Sequence, residues 1–368
     1  MDFIELMAAL PKAELHLHLR GAIPMETLAQ LLMKYYGMPV EGALRARYDA
    51  LLQNPKIAKI AAKEYVTAED LRALFQYDSL LEFLDVYTFT GFFIRDVSDF
   101  WGVVDDVLDT LVQQNIVYAE INASLLREME MGIPAEELYD CLREAKKRKD
   151  IRVNWILGNA WHNDPAAELA ALQAMPDGVG TAITLGGKEL FHPPEAFAPL
   201  YNLAREKGLH TTVHVGEAPG EDLGARAIWR VLEHLKPERI GHGVRAIEDE
   251  ALLETLKERQ IPLEVCPTSN VVTGLYPSIA RHPLLKLADA GAAVTVNTDD
   301  PTFFQSTLAR EYAHLQGLGA PAEQIKEIML NAYRYAFIED EAKAAYIQAF
   351  DAVWDESGPR PAHILQNT

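Results

Sequence analysis

Residues 117–122, VYAEIN, are followed by a helical pattern at 135–149 and then by a second β run, IRVNWI, at 151–156. Apolar and β-branched residues dominate both short runs, whereas the segment between them places apolar residues at helical spacing among charged ones. A β run, a helix and another β run are typical of a βα unit whose strands lie parallel. This unit predicts an α/β protein with a parallel sheet.

The same alternation recurs along the chain until eight strands are predicted. They cover residues 14–19, 117–122, 151–156, 180–185, 210–214, 239–241, 262–265 and 293–297. Eight βα alternations predict a closed (β/α)₈ TIM barrel. Since no Pro-, Gly- or Ser-rich linker divides the chain, we predict a single domain over residues 1–368.

The interval between the first two predicted strands is unusually long. Helical patterns there predict a helical insertion at approximately 24–113. Its predicted helices cover residues 25–36, 68–75, 80–88 and 98–113. In barrels the loops after strands build the active site, so this insertion could cap a substrate pocket. Helices that only pack are the alternative. Extra C-terminal helices are predicted at 304–315, 322–337 and 340–353.

The composition limits the classes of partner. The chain has 368 residues, a formal net charge of −20 and a hydrophobic share of 49%, which favours a packed globular protein. The acidic charge repels phosphate backbones and anionic lipids, so neither nucleic acid nor membrane is an expected partner. Two distant cysteines, Cys141 and Cys266, form no disulfide framework, and the acidic start of the chain lacks an export signal. We therefore expect a cytoplasmic protein; the oligomeric state stays open.

Residues 14–19, ELHLHL, alternate apolar and polar side chains with a period of two. Side chains at i and i+2 of a strand point the same way, so His16 and His18 are predicted to face the barrel interior together. Neutral imidazoles are costly to bury without a partner, and a shared metal ion would supply one. A pair of structural histidines is the alternative.

Three other predicted strand ends carry residues suited to catalysis. His214 ends a β run and Glu217 follows it past a glycine turn, so the first could bind metal while the second transfers a proton. His242 lies between two glycines, which suits a general base or an electrostatic stabiliser. Asp299 and Asp300 follow a buried strand, where adjacent carboxylates repel unless a cation or a proton-donating substrate holds them.

Together these strand ends predict one metal-dependent hydrolytic site. Three imidazoles and one carboxylate with an open position are typical of a catalytic rather than a structural zinc site. Metal-bound water would ionise near neutrality and attack an electrophilic carbon, while Glu217 and His242 move protons. Hydrolysis of amides or esters remains open at this point. A non-catalytic barrel with a vestigial site would be expected to have lost a metal ligand or the proton-transfer acid, and neither is lost here.

Five motifs give the chain a family resemblance that spans nearly its whole length. Residues 11–18 (PKAELHLH), 214–217 (HVGE), 241–243 (GHG), 265–270 (VCPTSN) and 297–301 (NTDDP) are similar to the adenosine deaminase family of the amidohydrolase superfamily. That resemblance implies a (β/α)₈ barrel that hydrolyses a 6-amino group and releases ammonia. It also implies one Zn²⁺ per chain, with Fe²⁺ as the other candidate, and the implied ligands are His16, His18, His214 and Asp299.

The resemblance implies further roles around a purine ring. Glu217 would protonate N1, and His242 would orient and deprotonate the water. Asp300 would accept a hydrogen bond at N7, and the backbone N–H of Gly187 would meet N3. These roles remain expectations carried over from the family pattern.

Three positions depart from the family pattern. Arg20 stands where nucleoside deaminases of the family usually carry an Asp for the ribose 5′-hydroxyl, and Lys188 and Thr184 replace residues that are commonly acidic. We therefore hypothesise a small-molecule purine nucleoside with an anionic 5′ substituent, such as aminodeoxyfutalosine or adenosine monophosphate, bound by Arg20 and Lys188. The alternative for Arg20 is an outward ion pair with a surface acid.

The predicted function is zinc-dependent deamination of adenosine or of a 5′-modified adenosine. The alternatives are an adenine deaminase, an N6-substituted AMP deaminase and a non-catalytic nucleoside-binding barrel. The remaining histidines lack paired spacing and are expected to have surface or core roles: His162, His192, His210, His234, His282, His314 and His363.

Overall fold

Parallel strands follow one another in sequence order in the computed structural model, which describes residues 3–77 and 79–357. The first five strands form one sheet in the order β1 to β5, and the last four form a second sheet in the order β6 to β9. The strands are β1 (Lys12–His18), β2 (Ile116–Ala123), β3 (Arg152–Ala160), β4 (Ala182–Gly186), β5 (His210–Thr211), β6 (His214–Val215), β7 (Ile240–His242), β8 (Leu263–Val265) and β9 (Val294–Val296).

Backbone hydrogen bonds join the two sheets into a ring. Between β5 and β6, Thr212 N donates to Ile183 O at 3.0 Å on one side, and Val213 O accepts from Gly241 N at 2.7 Å on the other. At the opposite junction, His18 N donates to Asp299 O at 2.9 Å, which links the last strand to the first. The predicted (β/α)₈ barrel is confirmed. Its fifth strand is divided because residues 212 and 213 pair with different neighbours.

Helices cover the outside of the barrel. The α-helices of the described residues are α1 (Phe3–Ala9), α2 (Met25–Lys34), α3 (Arg45–Leu51), α4 (Pro55–Ala61), α5 (Ala68–Leu74), α6 (Leu80–Thr90), α7 (Val97–Gln113), α8 (Leu126–Glu130), α9 (Ala135–Ala145), α10 (Pro165–Ala174), α11 (Ala198–Glu206), α12 (Ala225–His234), α13 (Glu250–Glu258), α14 (Pro267–Val272), α15 (Leu284–Asp289), α16 (Leu308–Gly317), α17 (Ala322–Arg334) and α18 (Asp340–Ser357). None of them is long and apolar enough to cross a bilayer.

The helical insertion consists of α2 to α7, all between β1 and β2. The sequence did not predict α3 and α4, which have seven residues each and, unlike the equally short α5, do not begin with a capping box. Capping boxes start α5 at Thr67 and α7 at Asp96, so the chain itself marks those two boundaries. The extra C-terminal helices α16 to α18 are present, and the predicted single domain of 1–368 extends beyond the described residues at both ends.

A buried ion-pair network crosses the barrel interior. The guanidinium of Arg239 is 1% exposed, contacts the carboxylate of Glu120 and donates through Nε to Glu264 Oε1 at 2.6 Å. The guanidinium also lies over the ring of Phe337, whose centroid is 3.7 Å from Arg239 Cζ. Burial of two carboxylates is tolerated here because one cation lies between them. Through Glu264 the network reaches the histidines of β1.

Candidate active site

Four side chains converge where strands β1, β6 and β9 end. Donor atoms of His16, His18, His214 and Asp299 all lie within 4.8 Å of one another. His18 Nε2 lies 3.1 Å from His214 Nε2 and 3.1 Å from Asp299 Oδ1, and His16 Nε2 lies 3.5 Å from the same carboxylate oxygen. Three imidazole nitrogens around one carboxylate match the donor set of a catalytic zinc site. The structure therefore brings together a metal-binding site from the residues that the sequence singled out.

Hydrogen bonds behind the imidazoles orient their inner nitrogens. His16 Nδ1 donates to Glu264 Oε2 at 2.7 Å, which leaves the lone pair of Nε2 facing the centre. His214 Nδ1 lies 3.1 Å from the hydroxyl of Thr184. His16 Nε2 is buried without a hydrogen-bond partner among the described residues, and a cation at the centre would satisfy it. The donors therefore fit a bound metal ion.

Cys266 belongs to a second group of potential ligands with His16, His242 and Asp299. Burial, together with nearby carboxylates such as Asp299, raises the pKa of the Cys266 thiol well above its usual value. A protonated thiol is a poor metal ligand. The group with three histidines is therefore the better site.

A proton-transfer pair lies beside the metal ligands. Glu217 Oε2 lies 3.1 Å from His242 Nε2, and Asp299 Oδ2 lies 3.9 Å from the same nitrogen. Burial raises the pKa of Glu217 well above its usual value, which favours the protonated form of its carboxyl. The carboxylate of Glu189 fixes the turn that carries Glu217. It accepts hydrogen bonds from the backbone N–H groups of Gly216, Glu217 and Ala218 at 3.0 to 3.2 Å.

A chain of hydrogen bonds behind His242 fixes its tautomer. The backbone N–H of Leu284 donates to His282 Nδ1 at 3.2 Å, so the proton of a neutral His282 is on Nε2, which donates to Asn270 Oδ1 at 3.0 Å. The amide of Asn270 then donates to His242 Nδ1 at 3.2 Å. His242 therefore accepts at Nδ1 and carries its proton on Nε2, the nitrogen that faces Glu217.

Backbone strain marks two of these positions. His242 and Asp299 adopt left-handed φ angles of 56° and 63°, although neither is glycine. Such conformations are costly for residues with a Cβ atom and are concentrated at functional sites. Here they aim the two side chains at one point from the ends of β7 and β9.

Asp300 follows the ligand Asp299 in the chain but does not belong to the group of metal ligands. Its carboxyl is buried, and Oδ1 has no hydrogen-bond partner among the described residues. Burial and the adjacent charge of Asp299 raise the pKa of Asp300 well above its usual value. The unpartnered Oδ1 atom of this carboxyl is available to a ligand.

Gly21 gives Asp300 its space. A Cβ atom at Gly21 would lie 1.8 Å from Asp300 Oδ1, so Gly21→Ala must displace that carboxyl. We expect a loss of roughly 100-fold in kcat/KM, since a misplacement of about 1 Å at a reacting group can have that effect. Gly102→Ala is the matched control, because a Cβ there meets nothing within 4 Å. Steady-state kinetics tests this, and equal kcat/KM values for Gly21→Ala and the wild type would contradict it.

A cavity of about 160 Å³ opens beside His18. Gly187 contributes to its wall and has a φ of 80°, a conformation that favours glycine. Lys188 does not line it: its side chain is exposed, and its ammonium lies 5.3 Å from the centre of the Phe191 ring. The substrate-binding roles of Gly187 and Lys188 stay predictions.

Arg20 lines the cavity and does not turn outward. Its guanidinium lies 5.0 Å from the centre of the Tyr87 ring and donates to Glu128 Oε1 at 2.9 Å. Side-chain exposure is 11% for Arg20 and 3% for Glu128, so the ion pair is buried rather than at the surface. The alternative of a surface ion pair for Arg20 is therefore wrong.

Sequence reasoning missed the side chains that hold the site in place. Glu264, Asn270 and Glu128 each contact a predicted site residue more than 25 positions away, and no spacing rule links such pairs. His282, expected to have a surface or core role, is buried and part of the chain to His242. His363 lies outside the described residues.

The fold and the site define a metal-dependent hydrolase built on an α/β barrel. Residues 11–353 match the protein family described as adenosine deaminase. The chain belongs to the adenosine deaminase family of the amidohydrolase superfamily, and it is a hydrolase that acts on carbon–nitrogen bonds.

Individual relatives resemble the chain along almost all of its length. An adenine deaminase of Cupriavidus metallidurans is 31% identical over 372 residues, which cover 97% of this chain and 96% of that protein. An Arabidopsis N6-mAMP deaminase structure is 26% identical with a TM-score of 0.74, covering 95% and 99% of the two chains. A Zn-bound amidohydrolase structure from Burkhoderia ambifaria is 26% identical with a TM-score of 0.74, covering 96% and 94%.

The names of these relatives bear on which of the predicted substrates is favoured. Their names favour the alternatives, adenine or an N6-substituted AMP, over adenosine and aminodeoxyfutalosine. The hydrolysis predicted from the strand-end residues and the deamination implied by the family resemblance are unaffected, because both depend on the metal site and not on the rest of the substrate.

Proposed function

We propose that this enzyme hydrolyses the 6-amino group of a purine and that its metal is Zn²⁺. The observation that carries the proposal is the convergence of His16, His18, His214 and Asp299 beside the His242–Glu217 pair. The zinc-bound amidohydrolase relative supports the choice of metal. When bound, the ion would lower the pKa of a water molecule and make it a nucleophile at neutral pH.

Glu217 is the general acid in this proposal. Its protonated carboxyl donates to N1 of the purine, which places positive character on the ring and makes C6 electrophilic. The oxygen of a water molecule bonds to C6 and the bond between C6 and the amino nitrogen breaks; one proton of that water leaves with the amine as ammonia, the other restores Glu217, and the 6-oxo purine keeps its proton on N1.

Two expected hydrogen-bond roles change direction. Because His242 carries its proton on Nε2, it donates to the oxygen that attacks C6 and does not remove a proton from it. N7 of a neutral purine carries a lone pair, so Asp300 must donate to N7 from its protonated form rather than accept there. Asp299, whose Oδ2 lies 3.9 Å from His242 Nε2, is the carboxylate at hand to take the proton from water.

The tautomer of His242 gives a separate prediction for Asn270. In Asn270→Asp a carboxylate replaces the amide donor and would accept from Nδ1, which moves the proton away from Nε2. We expect kcat to fall roughly 10- to 100-fold, as for other partners behind a catalytic group, with KM and metal content little changed. Asn202→Asp on exposed α11 is the control. Steady-state kinetics with metal analysis is the measurement, and an unchanged kcat would refute the assigned tautomer.

Two substrates are candidates. Adenine is supported by the adenine deaminase relative, which matches nearly the whole chain. An N6-substituted AMP is supported by the Arabidopsis relative and by Arg47 and Arg127, the two cavity arginines that are not paired with Glu128. The second candidate retains the earlier hypothesis of an anionic substituent.

A substrate panel tests the proposed function. The zinc-loaded enzyme is incubated separately with adenine, adenosine, AMP, N6-methyl-AMP and aminodeoxyfutalosine, and amine release and the ultraviolet shift from 6-amino to 6-oxo purine are followed. Turnover of at least one of these purines is expected. If the enzyme retains its metal and converts none of them, purine deamination is wrong.

A further inference from the structure

Positive charge is concentrated at the cavity that opens beside His18. Among the described residues, its lining includes the three arginines Arg20, Arg47 and Arg127 and one carboxylate, that of Glu130. The whole chain carries a formal net charge of −20, so the positive charge of the cavity lining is opposite in sign to that of the chain. Cations held together at a cavity wall repel one another unless something of opposite charge joins them.

Arg20 is not the source of the excess. The carboxylate of Glu128 pairs with it inside the protein, and both side chains are almost fully buried. Removing either partner would leave an uncompensated buried charge. Arg20 and Glu128 therefore form a neutral unit in the cavity wall.

Arg127 forms a long ion pair with Glu130 and keeps an N–H group without a hydrogen bond. It is 7% exposed, its guanidinium lies 4.5 Å from the centre of the Phe92 ring, and Nη1 is buried without a hydrogen-bond partner among the described residues. Glu130 Oε2 is 3.7 Å away, beyond hydrogen-bond distance, and its side chain is 38% exposed. A buried N–H group without a partner is costly, so a partner from outside the chain is expected.

Arg47 faces the same cavity from α3 of the insertion. In the part of the chain that the structure describes, it makes no hydrogen bond or ion pair. Its charge attracts the carboxylate of Glu130 and repels the guanidinium of Arg127. His162 also lines the cavity, and its pKa is lowered by burial and by the charges of Arg47 and Lys188. The exposed cation Lys188 therefore adds to the positive field at this end.

We propose that Arg47 and Arg127 form an anion subsite for a phosphate or carboxylate group carried by a 6-aminopurine substrate. The inference rests on the proposed function and deepens it, because it selects anionic purine derivatives over free adenine. Guanidinium groups suit this role since their planar N–H forks match phosphate and carboxylate oxygens. Glu130 can turn toward solvent when the anion binds, because it is held by no close hydrogen bond to Arg127.

The test compares Arg47→Ala with Arg45→Ala on the same helix. Arg45 is exposed, pairs with Asp49 at 2.8 Å and does not line the cavity. We expect Arg47→Ala to lower kcat/KM for AMP relative to adenosine by about 10- to 100-fold, the size of a lost hydrogen bond to a charged group, and Arg45→Ala to leave that ratio unchanged. A parallel series with aminodeoxyfutalosine distinguishes a carboxylate from a phosphate.

Arg127 needs two variants because it is buried. Arg127→Lys keeps the charge but loses the fork, whereas Arg127→Met loses both and is checked for folding by its melting temperature. We expect the ratio for AMP over adenosine to fall less in the lysine variant than in the methionine variant. Equal ratios in both variants and the wild type would overturn the subsite.

A binding measurement separates this inference from the proposed function. Calorimetry compares IMP with inosine on the wild type and Arg47→Ala, and it needs no turnover. Tighter binding of IMP that is lost in Arg47→Ala supports the subsite even if no purine in the panel is deaminated. Equal binding of IMP and inosine to the wild type, or deamination of adenine alone, overturns the subsite and leaves the deaminase proposal to the panel.

Discussion

Replacing Glu217 with Gln should lower kcat by about 10²- to 10⁴-fold, the contribution expected of a positioned general acid. Glutamine has nearly the shape of the protonated carboxyl, so the contact with His242 Nε2 at 3.1 Å can persist. An amide cannot deliver a proton to N1 of a purine. The loss should therefore appear in kcat while substrate binding stays close to that of the wild type.

The control for this variant is Glu221→Gln, an exposed carboxylate four residues further along the same loop. Steady-state kinetics and metal analysis on all three proteins provide the comparison. Glu217→Gln should retain the metal of the wild type, since Glu217 is not among the four ligands. A kcat within a factor of two or three of the wild type would exclude Glu217 as the acid.

Replacing Asp299 with Asn should remove the metal. Asparagine tolerates the left-handed φ of 63° at this position, so the backbone need not move. The carboxylate charge that faces His16 and His18 is lost, and with it the anionic ligand of the site. We expect metal affinity to fall by more than about 100-fold, the upper end of what outer partners alone contribute, and activity to fall to background.

Metal content after dialysis against a weak chelator is the measurement for Asp299→Asn, with atomic absorption as the readout. Asp289→Asn, on the exposed end of α15, is the control and should keep one ion per chain. Asp299→Asn should also show an affinity deficit when zinc is titrated back. Stoichiometric metal in the dialysed variant would mean that Asp299 is not a ligand.

The barrel was predictable because its elements are encoded locally. Short apolar, β-branched runs and helical spacing identified the alternation. The capping boxes at Thr67 and Asp96 mark two helix starts that the prediction did not use. The split of the fifth strand depends on different partners on its two sides, Ile183 and Gly241, which no local pattern encodes. The helix α3 has seven residues and no capping side chain, so neither its length nor its start gives a clear local signal.

The candidate site residues were predictable from local sequence, whereas the side chains that support them were not. Metal ligands and proton-transfer residues follow strand ends, and in a barrel all these ends meet at one mouth. The supporting contacts join distant parts of the chain: Glu264 to His16, Asn270 to His242 and Glu128 to Arg20. The Arg20 hypothesis recognised a cation at the cavity but could not foresee that Glu128 neutralises it.

Incorporation of oxygen from water during turnover tests most directly the central claim that the enzyme hydrolyses the 6-amino group of a purine. The zinc-loaded enzyme would be incubated in ¹⁸O-labelled water with the 6-aminopurine that it converts best, and ammonia and the mass of the product would be measured together. The account predicts one ammonia per product and one ¹⁸O atom at C6 of the purine. A product without solvent oxygen at C6, or amine release that is not matched by 6-oxo purine, would contradict it.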